Sequence, residues 1–256
     1  MSDKIYSACI LVIGNEVLSG RTQDANISYL AGELSQLGIR VLECRVIPDD
    51  QDEIVGAVNA CRAKYDYVFT TGGIGSTHDD ITAACVAKAF DRAFEMHPEA
   101  ERILQDHYGD RANAARMRMA MMPRGAELVD NPVSRAPGFK VENVYVFAGV
   151  PLIARAMFDG VKGMLKGGAV MVSRTVSTTE FSEGMMADQL SAVQDKHPDV
   201  DVGSYPFFKL GGFGVNLVVR GVDQASVNAA CDALIQMLND LGGKAIDGET
   251  KGDTLR

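Results

Sequence analysis

An α/β fold with a mostly parallel sheet covered by helices on both faces, followed by a small C-terminal α+β domain, is what this 256-residue sequence predicts. Three observations carry that expectation. Short continuous apolar runs alternate with stretches of helical spacing, the pattern of a parallel sheet covered on both faces. A glycine-rich turn, Gly72-Gly73-Ile74-Gly75, joins one such run to a helix. Beyond Lys166-Gly167-Gly168 the order changes to strand–helix–strand–strand–helix.

The elements follow in order. Residues 8–13 (Ala-Cys-Ile-Leu-Val-Ile) form an unbroken apolar run ending at Gly14, as a strand buried on both faces requires. Ile27, Leu30, Ala31, Leu34 and Leu37 then repeat at helical spacing until Gly38, a natural helix stop. Residues 39–47 read as the second strand, and Asp52 is placed to cap a helix carrying Ile54, Val55, Val58 and Cys61. Residues 67–71 make the third strand, and Ile81, Ala84, Cys85, Val86 and Ala89 mark the helix that the glycine turn feeds.

Residues 98–122 read as helical with a break near Gly109, and Met117, Met119, Met121 and Met122 as gap-filling core. Proline and glycine then punctuate a loop-rich stretch of short strands before the apolar strand 144–147. Pro151 suits the first turn of a helix over 152–165. Residues 166–168 are the expected linker between a domain over 1–166 and a second over 169–256. The second domain is expected to hold strands 169–176, 201–206 and 215–220 and helices 182–197 and 224–241. Gly211-Gly212-Phe213-Gly214 would form its hairpin, and the residues after Gly242 a short strand and a frayed tail.

Composition narrows the function classes. A hydrophobic fraction of 46% and a charged fraction of 23% are ordinary for a globular protein. A net charge of −9 argues against nonspecific binding to nucleic acid or an anionic membrane, although Arg111, Arg116, Arg118 and Arg124 cluster locally. No apolar run suits a signal peptide or a membrane span. The five cysteines, Cys9, Cys44, Cys61, Cys85 and Cys231, are odd in number and widely spaced, so they read as small core residues in a reducing cytoplasm.

The chemistry concentrates at the carboxyl ends of the parallel strands, where ligands sit in open α/β sheets. Four loops share that edge: Gly14-Asn15-Glu16, Pro48-Asp49-Asp50, Gly72 to Asp80, and Gly149-Val150-Pro151. Glycines let a ligand reach main-chain N–H groups, and a following helix N-terminus favours phosphate. Two aspartates there, Asp79 and Asp80, would repel phosphate unless a divalent cation stood between. Glu16, Asp49 or Asp50, and Asp79 or Asp80 therefore form a candidate magnesium site. The plainer reading makes Asp79 or Asp80 a helix cap, one of Asp49 and Asp50 a turn residue, and Glu16 a solvated loop residue. The loop is not a Walker motif, because no Gly-Lys-Ser/Thr follows. His78 reads as a surface loop histidine instead of a base or ligand, His97 and His107 carry no partner signal, and neither Ser19 nor Ser76 has a His–acid arrangement nearby.

Residues 12–20 (Val-Ile-Gly-Asn-Glu-Val-Leu-Ser-Gly), Asp24-Ala25-Asn26, Val46-Ile47-Pro48-Asp49-Asp50 and residues 71–82, together with Ala136-Pro137-Gly138-Phe139 and Gly149-Val150-Pro151, resemble the molybdopterin-binding family. The likeness is to the amino-terminal part of the CinA group, whose relatives include MogA, MoaB and a domain of eukaryotic FAD synthase. It covers roughly residues 5–165, with weaker likeness beyond. The resemblance implies a three-layer α/β sandwich with a mostly parallel, Rossmann-like sheet, and binding of molybdopterin or its adenylylated form, or metal-dependent cleavage of the pyrophosphate in ADP-ribose or a similar dinucleotide. It also implies a homo-oligomer, dimer or trimer. Carried over by motif, Asp49 and Asp80 would be catalytic. Gly14, Gly72, Gly73, Gly75, Ser76, Thr77, Thr82, Gly149 and Pro151 would hold phosphate, and Glu16, Asp49, Asp79 and Asp80 the metal. Asn15 stands where many relatives carry Asp, Ile153 where a glutamate is usual, and Ser76 where Pro is common. The deamidase domain of longer CinA proteins is expected to be absent.

Three functions follow as expectations. The first is a metal-dependent pyrophosphatase acting on an adenine dinucleotide of the ADP-ribose or FAD type. The second is a molybdopterin-binding or adenylyl-transfer protein of molybdenum cofactor assembly. The third is a non-catalytic nucleotide-binding module.

Overall fold

A computed structural model describes residues 5–209 and 212–252, and the chain divides into two compact units, 1–169 and 170–256. The first unit runs β1 (Tyr6–Ile13), α1 (Asn15–Leu18), α2 (Asn26–Gln36), β2 (Ile39–Ile47), α3 (Gln51–Lys64), β3 (Tyr67–Thr71) and α4 (Thr82–Ala89). It continues with β4 (Phe94–Met96), α5 (Pro98–Tyr108), α6 (Ala114–Met117), β5 (Met121–Pro123), β6 (Glu127–Val129), β7 (Gly138–Val141), β8 (Val144–Phe147) and α7 (Pro151–Val161). Six strands form one sheet in the order β2-β1-β3-β8-β7-β6. The first four are parallel and adjacent, and β7 and β6 close one edge antiparallel.

Alternation along β1 explains the three layers. Cys9, Leu11 and Ile13 face a core built with Ile54, Val58 and Cys61 of α3, Val86 of α4 and Leu104 of α5. Ala8, Ile10 and Val12 face the opposite core, with Leu30 and Leu34 of α2 and Met157 and Phe158 of α7. A strand that must please two helical layers has no polar face, which is why its sequence is continuously apolar. Phe69 anchors the second core, with ring centroids 5.2 Å from Tyr145 and 5.9 Å from both Phe147 and Phe158. Cys9 and Cys61 meet in the first core with sulfurs 3.3 Å apart, both as free thiols.

Several local expectations need correction. Asp50, not Asp52, caps α3: its carboxylate accepts from the amides of Asp52 and Glu53 at 2.9 and 3.1 Å. The glycine turn does feed α4, but neither Asp79 nor Asp80 caps it, since Ile81 holds that position without a side-chain bond. Cys44 is exposed, because β2 is an edge strand. Residues 166–168 are tied down instead of loose. The amide of Lys166 donates to the Tyr67 hydroxyl, Gly168 donates to the Gly38 carbonyl, and a side chain at Gly167 would strike the Leu37 carbonyl.

The second unit comprises β9 (Val172–Thr178), α8 (Glu183–Lys196), β10 (Asp201–Lys209), β11 (Gly212–Gly221), α9 (Gln224–Asp240) and β12 (Ile246–Asp247). Its sheet has the order β10-β11-β9-β12. Val176, Leu217 and Val219 pack on Met186 of α8 and Val227 and Leu234 of α9. Gly212, Phe213 and Gly214 belong to β11, paired with Lys209, Phe208 and Phe207, so the hairpin strands run longer than their apolar centres suggest. Gly211 lies outside the described residues. The segment after β12 is anchored: Thr250 donates to Ser177 Oγ and Asn216 Oδ1 at 3.1 and 3.0 Å, and Asn216 Nδ2 donates to the Thr250 carbonyl at 3.0 Å. A buried Asn–Ser pair thus finds its partners in main-chain groups of the tail. Among the described residues no helix is long and apolar enough to cross a membrane.

Glu43 on β2 yields a test of how this fold responds to acid. The Tyr65 hydroxyl, and then the Arg45 guanidinium, hydrogen-bond its carboxylate and pull its pKa from 4.5 down to about 2. A carboxyl depressed in the folded state stabilises above its unfolded pKa, and that contribution disappears as pH falls through the folded value. Thermal melts of the wild type should therefore lose stability between pH 4.5 and about 2, and Glu43→Gln should remove part of that slope while lowering the melting temperature at neutral pH. A variant with an unaltered acid slope would contradict the assignment.

Candidate functional site

Because β2, β1, β3 and β8 are neighbours and parallel, their exit loops lie side by side along one sheet edge. The loops also touch through main chain. Gly72 leaves β3 with φ +103°, and a Cβ there would sit 2.1 Å from the Ile13 carbonyl at the end of β1. Gly73 has φ +68°, and its Cβ would meet Thr82 Oγ1 at 2.1 Å. These two positions accept only glycine, for conformation and for space. The Gly72 amide donates to the Phe147 carbonyl of β8 and the Gly14 amide to the Ile47 carbonyl of β2, so the sheet's own hydrogen bonds continue into the loops.

A cleft of about 480 Å³ opens over these loops. Seven of the predicted residues line it: Glu16, Gly72, Gly73, Gly75, Asp80, Gly149 and Pro151. Ile153 lines it too, as do Asn131 and Ser134. The remaining predicted residues lie elsewhere. Gly14 is buried beneath the folded-over Glu16 carboxylate. Asp49 accepts from the Asn15 amide at 2.9 Å, anchoring the first turn after β1. Asp79 is exposed and lines no cavity described here, and Ser76 turns its carbonyl to Arg118 Nη2 at 2.7 Å. Thr82 is fully buried.

Thr77 corrects the phosphate reading most directly. Its amide and its hydroxyl both donate to Asp80 Oδ2, at 2.8 and 2.5 Å. Those two donors hold Asp80 in place over Gly75, so neither reaches outward. Among the described residues the amides of Ile74, Gly75 and Ser76 donate to no protein acceptor.

Among the described residues four buried side-chain oxygens have no hydrogen-bond partner: Asn26 Oδ1, Thr70 Oγ1, Thr71 Oγ1 and Thr82 Oγ1. None of these four residues lines the cleft itself. Asn26 and Thr71 face a pocket of about 40 Å³ beside the cleft, enough for roughly one or two waters, while Asn26 Nδ2 donates to the Gly149 carbonyl at 2.9 Å. An unpaired buried oxygen costs about 1–3 kcal/mol, and polar groups tolerated at that cost collect at binding sites.

The predicted metal ligands separate into two groups. Among the described residues no three His, Cys, Asp or Glu side chains converge. Asp49 and Asp79 stand away from the cleft, whereas Glu16 and Asp80 share it. Magnesium commonly takes one or two carboxylates and completes its shell with phosphate oxygens and water, and Glu16 with Asp80 suits that demand.

A second chamber of about 470 Å³ adjoins the first, and Ile74, Gly75, Asp80 and Met119 line both. Met117, Met119 and Met121 line this chamber instead of simply filling core, and Met122 alone of that run is fully packed. The arginine cluster resolves as well. Arg124 pairs with Glu95, Arg116 stacks on Tyr108 and donates to the Arg111 carbonyl, and Arg118 reaches the chamber. Sequence reasoning missed Arg118, Asn26 and Thr71 as site residues. Arg118 and Asn26 lay within segments already marked as basic or motif-bearing, and nothing in the sequence distinguished Thr71 from any strand threonine.

The tight loop packing makes a direct prediction. Gly72→Ala should destabilise the chain by about 1–3 kcal/mol in urea denaturation, through positive φ and the clash with Ile13. Gly56→Ala, inside α3 with nothing within 4 Å, should instead stabilise by about 0.5–1 kcal/mol. Equal effects at the two positions would refute the contact.

Comparison with known proteins agrees with this geometry. The model of the "Probable molybdopterin binding domain" family matches residues 9–166, and that of "FAD synthase, middle domain" matches residues 170–242. A protein of Archaeoglobus fulgidus is 35% identical over 231 residues, covering 90% of this chain and 97% of its own length. A CinA-like protein of Desulfosudis oleivorans is 32% identical over 207 residues, covering 76% of this chain and 50% of its own. The crystal structure of CinA from Thermoplasma acidophilum superposes with a TM-score of 0.59 at 30% identity, covering 64% of this chain and 99% of that one.

Proposed function

The chain belongs to the molybdopterin-binding domain family, and from that premise we propose that its first unit binds a phosphorylated nucleotide or pterin and cleaves the pyrophosphate of an adenine dinucleotide of the ADP-ribose or FAD type. The observation that carries this reading is the cleft itself. Two carboxylates, Glu16 and Asp80, and the turn residues Ile74 and Gly75, whose amides have no protein acceptor, line one space at the carboxyl edge of a parallel sheet. The likeness of residues 170–242 to a domain of FAD synthase favours an adenine dinucleotide over other phosphorylated ligands.

The residues divide the work as follows. Amides of the 74–76 turn hold phosphate oxygens, and glycine at 75 lets those oxygens approach closely. Arg118, fixed to the Ser76 carbonyl at 2.7 Å, supplies the cationic charge beside that turn. Glu16 and Asp80 would hold a divalent cation between themselves and the diphosphate. Such a cation polarises a phosphoryl oxygen and lowers the pKa of an attacking water. Thr77 keeps Asp80 aimed by donating twice to one of its oxygens.

A second reading, molybdopterin binding or adenylyl transfer in cofactor assembly, uses the same cleft and is favoured by the family to which the chain belongs. Calorimetry and product analysis separate the two. ADP-ribose or FAD should bind saturably, and with magnesium or manganese should release AMP. Arg118→Ala should weaken binding by roughly tenfold or more, the loss expected of one charge-assisted hydrogen bond. Asp80→Asn should abolish AMP release with the fold retained. Binding without AMP release across several divalent ions would overturn the hydrolytic reading, and no binding of any phosphorylated nucleotide or pterin would overturn the whole.

A further inference from the structure

We propose that Cys9 and Cys61 are a redox couple inside the first unit, closing to a disulfide under a peroxide and reopening under a dithiol, so that the fold carries a covalent clip between β1 and α3. The inference is independent of what the cleft binds.

Geometry is the first argument. Cys9 lies within β1 and Cys61 in the last turn of α3, 52 residues further on. The Cys9 thiol nevertheless donates to the Cys61 sulfur at 3.3 Å, and both are free and buried. A disulfide requires the two sulfurs to close by only about 1 Å, a distance that small rotations of both side chains supply. Entry is provided by the position of Cys61 at a helix end. Its carbonyl accepts the Tyr65 amide that closes α3, at 3.0 Å, so opening that one turn admits a small oxidant.

Charge is the second argument. Core packing alone asks for small apolar side chains, with no charge beside them. Here Arg45 of β2 and Lys64 of α3 act on the pair, opposed by Glu43. The hydrogen bond from Cys9, helped by those two cations, brings the Cys61 thiol below its ordinary pKa although burial works against it. The same bond raises the Cys9 thiol. The two sulfurs therefore take different roles, Cys61 attacking and Cys9 resolving.

The chemistry balances with one hydrogen peroxide. Cys61 sulfur attacks a peroxide oxygen, the O–O bond breaks, and the departing oxygen leaves as water with the thiol proton. Cys61 is then a sulfenic acid. Cys9 sulfur attacks it, the S–O bond breaks as the S–S bond forms, and the hydroxyl leaves as a second water with the Cys9 proton. Two thiols have lost two electrons, and a dithiol returns them by exchange.

The test uses the whole chain carrying Cys44→Ser, which removes the exposed thiol and any crosslink between molecules through it. Of the five thiols in the sequence four then remain. After hydrogen peroxide, thiol titration in denaturant should find two, with a mass lower by two hydrogens and a linked Cys9–Cys61 peptide on proteolysis. The melting midpoint should rise by roughly 5–15 °C, because the covalent ring closes a long loop, and dithiothreitol should restore both midpoint and thiols. Adding Cys61→Ala, or Cys9→Ala if that variant folds poorly, should abolish the rise. Four thiols after peroxide overturn the proposal. So does a disulfide through Cys85 or Cys231, a gain of oxygen in place of the loss of hydrogen, or a Cys9–Cys61 disulfide that leaves the midpoint unmoved.

Discussion

The contact between Gly72 and the Ile13 carbonyl is the constraint on which the rest of the site depends. It exists because β1 and β3 are parallel neighbours that end at the same level, so the chain leaving β3 must cross the end of β1. At 2.1 Å from a virtual Cβ there is no room for any side chain. Once Gly72 is seated, Gly149 packs on its Cα from β8, and Gly73 receives the Thr82 side chain from the start of α4. Three crossover connections are thereby held by main-chain contacts. The floor of the cleft is rigid for the same reason that the sheet is.

Close packing around the glycine turn leaves side-chain oxygens unpaired, four of them among the described residues. Thr70 and Thr71 end a strand whose side chains are packed into helical layers, so their hydroxyls cannot turn toward solvent. Thr82 Oγ1 is pinned against Gly73 while its amide donates to the Gly73 carbonyl at 2.9 Å. A fold selected for stability alone would place valine at such positions, since replacing a threonine hydroxyl by methyl removes the buried acceptor. Keeping hydroxyls there is a local conflict with packing, and conflicts of this kind concentrate where function requires them.

Much of the scaffold was legible in the sequence because its signals are local. Apolar runs marked β1, β3 and β8, Gly38 marked a helix end, and the glycine turn marked a strand-to-helix connection, whereas β7 lay within a stretch read as loop-rich. The side-chain destinations were not legible, because each is decided between loops. Asp49 is drawn to the Asn15 amide of the neighbouring loop, and Asp50 takes the cap that Asp52 seemed placed to fill. Met117, Met119 and Met121 read as core because hydropathy cannot tell a residue packed on another side chain from one facing a chamber. The tail after Asp247 read as frayed because its glycine and polar content hides that Thr250 completes the Ser177–Asn216 pair.

The charge arrangement then follows from geometry. A chain of net charge −9 that binds an anion must overcome its own field near the site. At 4 Å, like charges repel by about 1 kcal/mol in water and by about 4 kcal/mol near a protein surface. The loop lessens this by holding Glu16 over Gly14 and Asp80 over Gly75, each carboxylate folded onto its own turn instead of projecting. Asp80 is further tied by two hydrogen bonds from Thr77, and Arg118 is bound to the carbonyl of the residue between Gly75 and Thr77. The glycine turn thus carries one restrained acid and touches one guanidinium, while the neighbouring loop carries the second acid. On the proposed function, the two carboxylates would serve a cation there without shutting out the phosphate that accompanies it.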